Sequence, residues 1–211
     1  MRHNQSRLIH RLAGRLLAGA VLFGLMSAVA QAQTAMRIRG TITGFDDHVL
    51  AVKTRDGKDM KINVPEDTSI RSLIKLQMGD IKQGSFVGVT AIKRSSDGAR
   101  YALEVHIFPE ASRGSGEGHR DWDLEPGSTM TNANVDAMVE LNDGKELTLG
   151  YKGGMQKIIV PPDAPIVSFV PGDKSLLKTG VQIFATVQQT GDGTLTAQRI
   201  MAGKDGMKPP M

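Results

Sequence analysis

The side chains best suited to chemistry lie close together in the middle of the chain, between His106 and Asn134. His106, Glu117, His119 and Asp121 supply imidazole and carboxylate, the ligands expected for zinc or a similar divalent ion in a protein without cysteine. Arg113, Glu117, His119, Arg120 and Trp122 would suit contact with a ligand or partner through charge and one large aromatic surface. Neither set matches a known motif. There is no H-E-x-x-H, and the spacing does not put two histidines on one helical face. Gly114, Gly116 and Gly118 lack the Lys-Ser/Thr and the strand-to-helix setting of a phosphate loop. Asp121 and Asp123 sit beside Arg120 and read more simply as a paired or solvated surface than as an acid/base couple. No G-x-S-x-G elbow is present, so the expectation is a protein that is not an enzyme and has no cofactor beyond a possible divalent metal.

These residues need elements to position them. Residues 1–32 read as a secretory signal peptide: Arg2, Arg7, Arg11 and Arg15, an apolar run from Leu16 to Ala30, then Ala30-Gln31-Ala32. The run is short for a membrane span, and no other apolar stretch approaches that length. A periplasmic or secreted protein without a membrane span after cleavage is expected. The full chain carries 26 Lys+Arg and 22 Asp+Glu, and removing the four leader arginines leaves 22 of each sign. The basicity thus belongs to the leader, and a neutral remainder argues against nucleic-acid binding. An unknown envelope protein or small ligand is the expected partner.

Beyond the leader the pattern is that of strands. Ile38 and Ile42 alternate with polar residues, as do Leu50 and Val52, and Asp56-Gly57 suits a tight hairpin turn. Thr68 to Gly84 reads as weakly helical or irregular, able to plug one end of a barrel. A strand burying Val87, Val89 and Ala91 and a further hairpin strand from Ala99 to Phe108 follow. The second half repeats this plan. With Lys61 placed on Lys157, ten of thirty positions from 61 to 90 are identical without a gap, including Pro65/Pro161, Gly84/Gly180 and Thr90/Thr186. Chance gives roughly two. Ala102 and Val105 match Ala197 and Ile200 after a one-residue shift.

The predicted architecture is therefore all-β: two tandem small five-stranded barrels, OB-like in plan, joined by a long structured connector. Residues 36–108 form the first barrel, 109–133 the connector, 134–203 the second barrel and 204–211 a flexible tail. Open sandwiches or SH3-like barrels are the alternative that periodicity does not separate. The stretches RGTITGFDDHVLAVKTRDG, DIKQGSFVGVTA, HIFPEASRGSGEGHRDWDLEPGSTMTNA and KIIVPPDAPIV resemble a family of secreted bacterial proteins found in rhizobia and their relatives. Its repeat looks like a domain of unknown function with an R-G-T-[IV] first strand. The resemblance implies a secreted tandem small-barrel protein. Some members carry a metal ABC transporter permease label, which the lack of spanning helices in this chain contradicts.

Overall fold

The computed structural model describes residues 34–209. The expected leader, 1–32, lies outside the described residues. The described residues are all-β, with thirteen strands in chain order: β1 (Thr34–Asp46), β2 (Val49–Thr54), β3 (Asp59–Asn63), β4 (Ser69–Leu76), β5 (Phe86–Lys93), β6 (Arg100–Ile107), β7 (Gly118–Asp121), β8 (Ser128–Leu141), β9 (Gly144–Tyr151), β10 (Gly154–Val160), β11 (Ile166–Pro171), β12 (Gln182–Gln189) and β13 (Leu195–Ala202). Three short 3-10 turns, at Met78–Asp80, Glu110–Ser112 and Lys174–Leu176, complete the elements. Among the described residues no helix is long and apolar enough to cross a membrane.

Alternation writes these strands into the sequence. Leu50 and Val52 point inward from β2 and Leu147 and Leu149 from β9, each wholly or almost wholly buried beside exposed or half-buried neighbours. Asp56-Gly57 closes the β2–β3 hairpin with Gly57 at φ 83°, a region that favours glycine.

The pairings run differently from a tandem arrangement. β1 pairs with β2 and β2 with β3, as a meander should. But the hairpin that completes this circuit is β12–β13, from the far end of the chain: β12 pairs with β1, and β13 meets β3 in parallel through Asn63 and Thr196. Reciprocally, β5–β6 joins β8–β9–β10, with β5 against β8 and β6 meeting β10 in parallel through Tyr101 and Ile159. Each half thus lends its last hairpin to the other. Segments 36–108 and 134–203 do not close on themselves.

The physical reason lies in the stretch expected to be a helical or irregular plug. Ser69–Leu76 is an extended strand instead, so it carries the chain out of the first circuit before the hairpin begins. At the centre, β4 pairs antiparallel with β11, and Leu73 sits opposite Phe169, its counterpart in the internal register. An approximate twofold axis therefore passes through that residue pair. β4 also pairs with β13, and β11 with β6, so one continuous sheet joins everything.

Three apolar cores follow. The first gathers Ile38, Leu50 and Ile62 with Ile183, Ala185 and Ile200; the second gathers Val87, Val89 and Val105 with Val135, Leu147 and Ile158. Both mix early and late strands. The third lies between them and contains Leu73, Met130, Val167, Phe169, Phe184 and Met201, with Phe108, Trp122 and Met207 packed against it. Residues 34–209 consequently belong to one compact unit.

Two boundaries move. β8 begins at Ser128, inside the expected connector, because Ser128, Thr129, Thr131 and Asn132 are buried in the sheet despite their polarity. The expected flexible tail folds back through a Lys204–Met207 turn, rests Met207 on the third core and buries Pro209.

Candidate functional site: a groove between the two halves

β7 pairs with β8 over four residues, Gly118 against Asn132 through Asp121 against Thr129. Successive side chains of a strand point to opposite faces. This alternation sorts the connector's residues. Arg120 and Trp122 turn toward the third core and line a cavity of about 320 Å³. His119 faces the other way: its Nδ1 lies 2.8 Å from Thr131 Oγ1, and its ring stacks at 6.4 Å on Tyr151. Burial holds the His119 imidazole below its ordinary pKa; Arg100 and Arg120 add to this, and Asp121 opposes it.

The metal set is not brought together. His106 is 2 % exposed on β6, opposite Gly88, and shares a sheet face with Asn132 and Gly118. His119 and Asp121 are out of phase with that face, and Glu117 accepts the backbone N–H of Lys152 at 2.8 Å. No group of three metal-ligating side chains converges among the described residues. Strand alternation, invisible while this stretch is read as a loop, is the reason.

Arg113 also differs from expectation. It donates to both carboxylate oxygens of Glu110 (2.6 and 2.7 Å), to Asn134 Oδ1 (2.7 Å) and to the Gly84 carbonyl (3.0 Å). A guanidinium with its donors so committed ties the connector down rather than contacting a ligand.

Arg120 and Trp122 do meet in the groove, with residues from both halves. Trp122 lies with the Arg37 guanidinium 4.0 Å from its ring centre and Arg120 5.5 Å from it, and its indole packs on the third core. Arg120 donates to the Gly116 carbonyl at 2.8 Å. β4 contributes Arg71 and β13 contributes Arg199, so four arginines line one cavity. Burial and then the Arg37 charge depress the Arg120 pKa; burial and then the Arg71 charge depress that of Arg199. Asp123 answers Arg37 at 3.5 Å and Arg39 at 2.8 Å.

Among the described residues, three buried polar atoms on residues that line the cavity have no hydrogen-bond partner: His106 Nδ1, Trp122 Nε1 and Asn132 Oδ1. Behind them Glu104, wholly buried, accepts from Thr90 Oγ1 at 2.6 Å while its Oε2 is unpartnered; His106 Nδ1 lies 3.8 Å from its Oε1. Buried polar groups are ordinarily paired, so such a concentration sets this region apart from the three apolar cores.

The sequence reading missed Arg37, Arg71, Arg199 and Asn132. A signal was available in the differences between the aligned halves. The register that matches Ala102 and Val105 with Ala197 and Ile200 also sets Glu104 on Arg199 and His106 on Met201. Strand pairing extends this: Thr186 faces Arg37 where Thr90 faces Met130, and Phe184 faces Arg39 where Gly88 faces Asn132. The core positions keep their apolar character, and the groove-facing ones diverge in charge.

A scan against protein-family models and searches of curated proteins and of solved structures gave no match to this chain.

Proposed function

We propose that the protein is a non-enzymatic binding or scaffold module of the cell envelope, periplasmic or secreted, whose ligand or partner contact is the groove under the connector. Each circuit of five strands is read as an OB-like barrel, since the orders β1-β2-β3-β13-β12 and β8-β9-β10-β6-β5 follow that plan with exchanged hairpins. The observation that carries the reading is that three residues with unpartnered buried polar atoms, His106, Trp122 and Asn132, all line one cavity, which strands of both halves and the connector form together. Its volume falls at the lower end of the roughly 300–1,000 Å³ common for small-molecule sites. A roofed cavity of that size does not track a polynucleotide backbone, which favours a small ligand. Export rests on the leader's pattern.

The test is a thermal-shift screen of the mature chain against soluble envelope metabolites, repeated on Arg120→Ala and Trp122→Ala. Compounds that raise Tm in the wild type and not in either variant support the groove. Compounds that raise all three equally place the contact elsewhere and contradict the reading.

A further inference from the structure

The groove has a distinctive balance of charge. The chain beyond the leader carries equal numbers of acidic and basic residues, yet four arginines gather here. Arg37 is answered by Asp123, and Arg120 is held by a carbonyl. Among the described residues Arg71 and Arg199 have neither an ion pair nor a side-chain hydrogen bond. β4 and β13 run side by side in parallel with Arg71 beside Met201 and Arg199 beside Ser69, which sets both guanidiniums on one face. After burial, the Arg71 charge is the second cause that lowers the Arg199 pKa. Two neighbouring guanidiniums without a counter-ion form a ready bidentate clamp for a planar or tetrahedral oxyanion.

Beneath them the surface turns apolar. Phe108 and Phe169 stand 6.2 Å apart at 67°, and Phe184 belongs to the same core. The position of Arg199 is occupied in the other half by Glu104, which is wholly buried on the same sheet face as His106 and accepts from Thr90 Oγ1.

We propose that the groove takes a small organic oxyanion, its carboxylate or phosphate head between Arg71 and Arg199 and its apolar body on Phe108, Phe169 and Phe184. This assignment rests on the groove being the binding site. The indole N–H of Trp122, His106 Nδ1 and Asn132 Oδ1, which have no hydrogen-bond partner among the described residues, belong to lining residues and are the adjacent groups for polar atoms of the body.

Trp122 is the chain's only tryptophan and lines the cavity, so its emission reports occupancy directly. The mature protein is titrated with phenyl phosphate, benzoate, benzyl alcohol and inorganic phosphate, and the titrations are repeated on Arg71→Gln, Arg199→Gln and the remote surface variant Lys82→Gln. Phenyl phosphate and benzoate are expected to shift the emission saturably, at least tenfold more tightly than benzyl alcohol or inorganic phosphate. Either arginine variant should weaken them at least tenfold, and Lys82→Gln should not. Equal affinity for benzyl alcohol, or indifference to both arginine variants, overturns the oxyanion assignment and leaves the groove standing. Equal affinity for inorganic phosphate overturns the apolar body. No saturable response to any of the four overturns the oxyanion assignment, while the metabolite screen on Arg120→Ala and Trp122→Ala still judges the groove itself. Circular dichroism of each variant establishes that it is folded.

Discussion

At the scale of single residues, two positions show how closely the site is bound to the sheet that carries it. Gly88 lies where the His106 imidazole and the Asn132 amide cross β5, and a methyl group there would overlap the imidazole. Because His106 is buried, that ring has little room to yield, and overpacking typically costs about 1–3 kcal/mol. Gly88→Ala should therefore lower urea-unfolding stability by about that amount. The double variant Gly88→Ala/His106→Ala should recover part of the loss; no loss in the single variant would contradict the packing described. His119 gives a pH dependence. Its folded pKa is lowered from about 6.5, chiefly by burial, so the unfolded chain takes up a proton first as pH falls. Its contribution to stability is full above about pH 6.5 and declines as pH drops from there toward the lowered folded value. Melting measured from pH 7.5 to 5.5 should fall less steeply in His119→Gln than in the wild type. Trp122 and Arg120, which line the groove, stand out in the sequence by their types alone. Arg113, Glu117, His119 and Asp121 were not separable from them without the strand phase that sends alternate side chains to opposite faces.

At the scale of elements, the strands and turns were readable because apolar alternation and Asp-Gly turns are local. The partner of a strand is not local. Whether β5 and β6 return to β1–β3 or cross to β8–β10 depends on the path of Ser69–Leu76, whose Ile70, Leu73 and Ile74 fit a strand or an irregular plug equally well in sequence. In the fold Ile70 enters the first core, Leu73 the third, and Ile74 is exposed. The polar run Ser128-Thr129-Met130-Thr131-Asn132 hid the start of β8 for the opposite reason: its hydrogen-bonding side chains are buried in the sheet, Thr129 Oγ1 donating to the Ala91 carbonyl and Asn132 Nδ2 to the Ser115 carbonyl. Hairpin exchange has a consequence for dissection. Chains cut between Gly114 and Ser115 should give fragments 34–114 and 115–211 that lack native sheet signal apart and regain it when mixed at equal concentration. Native circular dichroism in either fragment alone would favour self-closing barrels.

At the scale of the whole molecule, exchange explains why a groove lined by both halves lies under the stretch that joins them in sequence. Crossing β4 and β11 bring the outer faces of both circuits together, and the connector roofs the gap with β7 and Trp122. The cores share strands from both ends of the chain, so unfolding should be a single cooperative transition by calorimetry and by Trp122 emission, rather than one step per half. The binding reading depends on this interleaving, since the groove is lined by both halves only if the hairpins are exchanged. The absence of native cysteine allows a direct trap. Ala35 of β1 is paired with Gln188 of β12, and neighbouring antiparallel Cα atoms fall within disulfide reach. In a tandem arrangement the partner of Ala35 would be Ile92, the counterpart of Gln188 in the first hairpin. Under mild oxidation, Ala35→Cys/Gln188→Cys should cross-link within one chain and keep the native fold, while Ala35→Cys/Ile92→Cys should stay reduced. The reverse outcome would contradict the exchanged fold and the site built on it.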